Sequence, residues 1–322
     1  MGHKIAILPP QQGCYRSGPS TIGHIPKALR STPAPKPPPC VGRLALLHAF
    51  AKATHPEPTV AVTAMALAYA AARGASWRKS AAIGVAVLCG QISVGWQNDT
   101  IDEHRDRDAA RLDKPLVAGT IHASDLRNAS ITATVACLPA SLLPGRRFAL
   151  RHLAALGAAW SYNAGLKATP LSVVPYCAAF PLLVEAIAAD TPDCGPAPAW
   201  LLAGTAILAA GAHLANAYPD IEADLTSGVR GLPQRLGPRT SVVGAVGLLA
   251  LATIAYAFGD GQPRRTDLYG VVAVACMLGY GTKAAARRGR QVWFTIAIAI
   301  AAIDVALLIA SGRAVTHTSP AP

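Results

Sequence analysis

The fold of this chain is decided by residues 80–106, which read SAAIGVAVLCGQISVGWQNDTIDEHRD. A long run without charged side chains ends in a cluster of carboxylates, and residues 199–224, AWLLAGTAILAAGAHLANAYPDIEAD, repeat that order. An apolar run of this length is typical of a helix that crosses a membrane. Carboxylates beside such a helix are costly and usually have a function, so both acidic clusters are candidate functional sites.

The composition places the whole chain in a membrane. Of its 322 residues, 52% are hydrophobic and only 14% are charged, and the mean hydropathy is +0.34, which is far above the value of an ordinary soluble domain. The net charge of +12 does not indicate nucleic-acid binding, because the basic residues lie between apolar segments and not along a stripe with interleaved aromatic residues. The seven cysteines include no C-x-x-C pair, so neither a zinc site nor a disulfide framework is expected.

The chain divides into three parts. Residues 1–43 form a proline-rich basic extension that is expected to be disordered, residues 44–311 form a membrane domain, and residues 312–322 form a short tail. We predict an all-α integral membrane protein with nine transmembrane helices, although the count ranges from eight to ten because several stretches are short and alanine-rich. The predicted helices cover residues 59–73, 80–97, 125–143, 148–164, 172–189, 198–217, 240–258, 267–284 and 291–311.

The basic residues predict the orientation of these helices. With the N-terminus inside, twenty of the 29 Lys and Arg residues lie on the inner side. The positive-inside rule then places both acidic clusters on the cytoplasmic face of a multi-pass protein in the inner or plasma membrane. Four predicted helices separate the clusters, and this even number brings the clusters to the same side.

Each acidic cluster forms one face of a helix. At about 100° per residue, the members of each cluster fall within an arc of about 100° or less. Aspartates gathered in this way repel one another, and a divalent cation with oxygen ligands such as Mg²⁺ relieves the repulsion. A pair of such clusters indicates a substrate that carries a diphosphate, and the cation would assist the departure of that diphosphate as a leaving group. The first face consists of Asn98, Asp99, Asp102 and Asp106, and the second of His213, Asn216, Asp220 and Asp224.

The two clusters also resemble known motifs. The strings NDTIDEHRD at 98–106 and DIEAD at 220–224 are similar to the N-D-x-x-D-x-x-x-D and D-x-x-x-D motifs of the UbiA superfamily of intramembrane prenyltransferases. The resemblance extends over about 48–311, with the same order and spacing of motifs. It implies a nine-helix bundle with a central cavity that is open to the lipid. It also implies magnesium-dependent transfer of an isoprenyl group from a prenyl diphosphate to an acceptor within the membrane, with release of diphosphate.

The resemblance assigns roles to residues at matching positions. Asp102, Asp106, Asp220 and Asp224 are the expected catalytic aspartates; with Asn98 they are also the expected magnesium ligands, and Asp99 supports the first site. Lys167 is expected to contact the diphosphate, as is Arg111 or Lys114. Tyr162, Asn163 and Asn216 lie near the site by topology. His213 is either a contact of the acceptor or a hydrogen-bonded interior histidine.

The sequence does not identify the acceptor of the isoprenyl group. An aromatic acid or quinone precursor, a chlorin, a phosphoglycerol, a sugar phosphate and a carotenoid are all acceptors in families of this kind. A terpene cyclase of the same type, which uses no separate acceptor, is one alternative. A cation-coupled transporter is another, but it predicts acidic residues near the middle of the membrane, whereas these lie at helix ends.

Overall fold

A computed structural model describes residues 42–191, 195–289 and 291–318. This part of the chain is helical and contains no strand, and nearly all of the predicted extension, residues 1–41, lies outside it. The last helix runs to Thr318, beyond the expected end of the membrane domain at 311. The helices are α1 (Arg43–Lys52), α2 (Pro56–Ala72), α3 (Trp77–Asp108), α4 (Ala123–Leu142), α5 (Arg146–Asn163), α6 (Val174–Ala189), α7 (Ala199–Ala217), α8 (Ile221–Thr226), α9 (Leu232–Phe258), α10 (Arg265–Arg288) and α11 (Gln291–Thr318).

The predicted all-helical membrane fold is confirmed. Each predicted apolar stretch has a counterpart among the described helices other than α1 and α8. Five helical segments are long and apolar enough to cross a membrane: α3, α7 together with α8, α9, and the parts of α10 and α11 that end at Ala285 and Gly312. Helix α6 is apolar but shorter. The number of helices that cross the membrane therefore stays a prediction.

Proline and serine residues mark where several helices begin. Pro56, Pro175 and Pro233 stand in the first turns of α2, α6 and α9, where a missing N–H costs nothing and the fixed φ suits a helix. The side chain of Ser76 accepts a hydrogen bond from the backbone N–H of Lys79 and caps α3.

The core is formed where these helices pack side by side. Tyr69, Ile187, Leu201, Leu249 and Ile300 come from α2, α6, α7, α9 and α11, and each is at most 1% exposed. The largest contacts join α7 to α9 and α3 to α4. Small residues dominate the interior, and they let helix backbones approach closely, as is usual in membrane bundles.

One end of the bundle collects the segments that carry the acidic clusters. The C-terminal ends of α3 and α7, the α5–α6 connection and the N-terminal end of α9 meet there, as the hydrogen bonds from Lys167 to Asp102, between Ser172 and His213, and from Leu232 to Ser172 show. Helix α7 gives way at Tyr218–Asp220 to a 3₁₀ turn that contains Pro219, because proline lacks the N–H that an α-helix needs at this position.

Candidate active site

The first acidic cluster lies within a helix and not in a loop after it. Helix α3 continues to Asp108, eleven residues past the predicted end at 97. Asn98, Asp102 and Asp106 are half-buried on this extension, whereas Asp99 is buried. The cluster therefore has the fixed helical geometry that its spacing predicts.

Lys167 joins the α5–α6 connection to the first cluster. It stands in the 3₁₀ turn Leu166–Ala168, and its ammonium group donates to both carboxylate oxygens of Asp102, at 2.5 and 2.6 Å, and to the amide oxygen of Asn98 at 3.3 Å. Arg105, one turn along α3, pairs with the same carboxylate. Burial lowers the pKa of Lys167, and the charge of Asp102 opposes that shift. Two cations thus neutralise one carboxylate of the cluster.

The second acidic cluster follows the break in α7. Asp220 ends the 3₁₀ turn and is exposed, and Asp224 lies one turn further along α8 and is half-buried. Gln234, in the first turn of α9, donates from its amide nitrogen to Asp224 at 2.6 Å. This bond fixes one oxygen of Asp224 and attaches α8 to α9. Sequence reasoning gave Gln234 no role, since ten residues separate the pair.

Electrostatic interactions show that the two clusters come together. Asp224 of the second cluster interacts with Asp220 and with the two cations that pair with Asp102, namely Arg105 and Lys167. Arg111 forms two hydrogen bonds of 3.0 Å to Asp113. That pairing raises the pKa of Arg111, and the charges of Asp220 and Asp106, one from each cluster, act in the same direction. The structure therefore brings both clusters and their basic residues into one charged region.

Lys114, which was expected as a possible contact of the diphosphate, is already bonded to other side chains of the protein. Its ammonium group donates to Asp99 at 2.5 Å and lies 3.2 Å from the Nε2 atom of His55. His55 in turn lies 2.8 Å from the same oxygen of Asp99, whose carboxylate side chain is 2% exposed. This triad of the partly exposed His55 and Lys114 with the buried Asp99 connects the start of α2, helix α3 and the segment after α3. The side chain of Lys114 is 14% exposed, whereas that of Arg111, the other candidate diphosphate contact, is 37% exposed.

Ser172 ties the α5–α6 connection to the α8–α9 connection. Its hydroxyl accepts from the backbone N–H of Leu232 at 2.9 Å and lies 3.0 Å from the Nε2 atom of His213. His213 is 1% exposed, so it is a hydrogen-bonded interior residue. At Gly231 a Cβ atom would stand 2.4 Å from the backbone oxygen of Lys167. Only glycine permits this close approach, which holds Lys167 against the start of α9.

Aromatic side chains continue the site into the bundle. The rings of Tyr162 and Tyr176 lie 5.3 Å apart, and Tyr176 lies 4.7 Å from the ring of His213. The side chain of Tyr176 also interacts with that of Asn216. Tyr162 interacts electrostatically with both Asp102 and Asp224, so this aromatic group adjoins the charged region.

Asn163 has a structural position. It is buried, and its amide nitrogen donates to the backbone oxygen of Val94 at 3.0 Å and to the side chain of Gln97 at 3.2 Å. These bonds attach the end of α5 to α3, one turn before Asn98. Asn163 therefore lies next to the first cluster, as predicted, but its amide nitrogen is bound to α3.

Within the described residues, no group of three or more His, Cys, Asp or Glu side chains is close enough to hold a metal ion. The aspartates are spread over two helical segments and interact with Lys167, Arg105 and Arg111. The central cavity that the resemblance implies also stays a prediction.

These features define a multi-pass integral membrane protein whose carboxylates and cations converge at one end of a helical bundle. A sequence profile of the UbiA prenyltransferase family matches residues 59–312. The chain belongs to this family. No curated protein matches the chain.

Solved structures show the same fold. A UbiA homologue from Archaeoglobus fulgidus bound to GPP and Mg²⁺ is 21% identical, with a TM-score of 0.62 over 82% of this chain and 99% of the homologue. An apo UbiA homologue from Aeropyrum pernix K1 is 18% identical, with a TM-score of 0.61 over 79% and 98% of the two chains. A digeranylgeranylglyceryl phosphate synthase is 14% identical, with a TM-score of 0.62 over 84% and 99%.

Proposed function

We propose that this protein transfers an isoprenyl group from a prenyl diphosphate to an acceptor within the membrane, in a magnesium-dependent reaction. The observation that carries the proposal is the convergence of both acidic clusters around Lys167, Arg105 and Arg111. The family membership supports it, as do the homologue structures bound to GPP or DMAPP with Mg²⁺.

The cations of the site suit the diphosphate end of the donor. Lys167 is the central one, because it already lies between Asn98 and Asp102 and interacts with Asp224. An ammonium group and a guanidinium group donate charge-assisted hydrogen bonds to phosphate oxygens. We assign these hydrogen bonds to Lys167 and Arg111. When the prenyl diphosphate binds, its oxygens replace the carboxylate oxygens of Asp102 and Asp113 as hydrogen-bond acceptors of the two cations.

The residues of the site fit magnesium ions bound together with a diphosphate. Mg²⁺ usually binds through one or two carboxylates and completes its shell with water and substrate phosphate oxygens. That preference agrees with the lack of a three-carboxylate cluster in the described residues. Asn98, Asp102 and Asp106 would hold one ion, and Asp220 and Asp224 the other. Bound Mg²⁺ neutralises the charge that develops on the departing diphosphate.

The reaction breaks the bond between the first prenyl carbon and its oxygen, and both electrons leave with the diphosphate. The acceptor supplies the electron pair for the new bond to that carbon and then loses a proton. An allylic cation is captured by water, so the site must be dry. Tyr162 and Tyr176 continue from the charged region into the bundle. We propose that their rings exclude water from the first prenyl carbon and face its positive charge.

We further propose that the charged end of the bundle faces the cytoplasm. Most of the basic residues stand in the connections at that end and in the segment before α2, as the positive-inside rule requires of the cytoplasmic side. The membrane is then the inner or plasma membrane. The donor reaches the site with its chain in lipid and its diphosphate at the cytoplasmic interface.

Purified protein in lipid nanodiscs tests the proposal. The protein is incubated with Mg²⁺ and labelled prenyl diphosphates of several chain lengths, with and without a panel of acceptors, and released diphosphate and prenylated product are measured. We expect release with one acceptor class and loss of release in EDTA. Release without any acceptor, together with a cyclised product, would favour a cyclase, and a cation flux without release would favour a transporter.

Glu222 provides a matched control. It stands in α8 between the two aspartates of the second cluster, but it is exposed and lies on the opposite face of the helix from them. Asp224→Asn should lower diphosphate release by about 100-fold or more, the scale on which a charge-stabilising group contributes to catalysis. Glu222→Gln should keep the wild-type rate. Equal rates for the two variants would contradict the site.

A further inference from the structure

A cavity lies at the charged end of the bundle, away from the candidate active site residues. It has a volume of about 430 Å³ and is lined by Arg239, Val242, Val243 and Trp293. We call it the Arg239 groove. Its volume falls within the range of pockets that hold small ligands. Its residues belong to α9 and α11, and none of them contacts Asp102, Asp106, Asp220 or Asp224 through a hydrogen bond or ion pair.

The charge of the groove selects an anion. Arg239 is exposed and makes no hydrogen bond or ion pair with any described residue. Its guanidinium group is therefore available to a ligand, and its planar donors match a phosphate group. Lys283, in the last turns of α10 before the start of α11, is a second exposed basic residue. The acidic clusters contribute no carboxylate to the groove lining.

The walls of the groove select an amphiphile. Val242 and Val243 are apolar, and Val243 is 55% exposed on a helix that is long and apolar enough to cross a membrane, so this wall faces lipid chains. Trp293 supplies the third wall, and its ring lies against Gly281, where a Cβ atom would stand 2.6 Å away. Tryptophan and arginine side by side are typical of the interface between headgroups and chains.

We propose that the Arg239 groove binds the phosphate headgroup of an anionic phospholipid. Arg239 donates to the phosphate, Trp293 lies at the level of the glycerol, and the exposed Val243 contacts the first acyl carbons. Basic pockets between transmembrane helices on the cytoplasmic side bind such headgroups. A free phosphate ion would satisfy Arg239 but would leave the apolar walls without a partner.

The groove is connected to the second acidic cluster. Phe294, which follows Trp293, stacks on Tyr218 at a centroid distance of 5.6 Å. Tyr218 begins the 3₁₀ turn that ends at Asp220. A lipid that holds the start of α11 therefore also stabilises the turn that carries Asp220. If the proposed function holds, an anionic lipid raises the rate of diphosphate release.

Lipid binding is tested on the full chain without reference to activity. The protein is reconstituted in nanodiscs of phosphatidylcholine with and without phosphatidylglycerol, then extracted, and retained lipid is measured by native mass spectrometry. We expect the wild type to retain phosphatidylglycerol, and Arg239→Gln to retain about ten-fold less, as the loss of a charge-assisted phosphate contact implies. Arg127→Gln is the control, because Arg127 is an exposed arginine of α4 and its substitution changes the net charge equally.

A second measurement locates the lipid and guards against misfolding. Phosphatidylglycerol with brominated chains should quench tryptophan fluorescence more in the wild type than in Trp293→Phe, and helical circular dichroism should be the same for all variants. Arg239→Lys should retain more lipid than Arg239→Gln. Equal retention in Arg239→Gln and Arg127→Gln would overturn the proposal. If the protein retained phosphatidylglycerol and phosphatidylcholine equally, and inorganic phosphate displaced the lipid, the groove would bind a free anion instead.

A wild type that retains phosphatidylglycerol selectively but releases no diphosphate under any condition would support the groove and refute the proposed enzyme. The opposite result, release that is independent of anionic lipid with no selective retention, would refute the groove alone.

Discussion

Replacing Lys114 by methionine tests the triad of His55, Asp99 and Lys114 beside the first acidic cluster. The variant removes the cation that lies 2.5 Å from Asp99 and leaves that carboxylate, 2% exposed, with His55 at 2.8 Å as its hydrogen-bond partner. The second oxygen of Asp99 has no hydrogen-bond partner in the described part of the chain. Breaking a buried ion pair from one side costs about 3–5 kcal/mol. Because the Lys114 side chain is 14% exposed, we expect the lower end of that range.

A double-mutant cycle separates the pair from its surroundings. Asp99→Asn combined with Lys114→Met removes both charges, so the loss should fall well below the sum of the single losses, with a coupling of about 2 kcal/mol or more. The assay is the free energy of unfolding in mixed micelles, followed by circular dichroism. Arg107→Met is the control, since Arg107 forms only an exposed pair with Glu103 and should cost less than about 1 kcal/mol. Additive losses, or equal losses for Lys114→Met and Arg107→Met, would refute the triad.

Two further variants test the connections at the charged end. Lys167→Gln removes the charge next to Asp102 and should weaken binding of the prenyl diphosphate by about 10- to 100-fold, measured as the KM for that substrate. Lys167→Arg should lose less affinity. An unchanged KM in Lys167→Gln would exclude Lys167 from the diphosphate site. Ser172→Ala leaves the half-buried N–H of Leu232 and the buried Nε2 atom of His213 without their partner. The expected cost is about 1–3 kcal/mol for each group, seen as a lower thermal midpoint, and a midpoint equal to that of the wild type would show that water replaces the hydroxyl.

Hydrophobic patterning was sufficient to predict the fold. Runs such as 80–97 and 198–217 contain no acidic or basic residue apart from His213, and no other structure buries so many consecutive apolar residues while pairing every backbone group. The short helices α1 and α8 were not predicted, because their apolar patterning is too short. Helix α1 has only ten residues and starts at Arg43, at the edge of the basic extension, and α8 has only six, so neither has an apolar run long enough to predict a membrane helix.

The spacing of the acidic residues predicted which of them share a helix face. Asp102 and Asp106 share a face because residues four apart lie on the same side of a helix. The partners of the acidic residues were not predictable in the same way. Asp99 meets a lysine 15 residues later and His55 44 residues earlier, and such contacts depend on how the connections fold across the end of the bundle.

The central claim is that both acidic clusters belong to one diphosphate site. The most direct test compares kcat/KM for diphosphate release in Asp102→Asn, Asp220→Asn and the double variant. Groups that act as a unit show strongly non-additive losses. Each single variant should lose about 100-fold or more, and the double variant should be no more than slightly worse than the weaker single variant. Losses that multiply in the double variant would mean that the clusters act independently and would contradict the account.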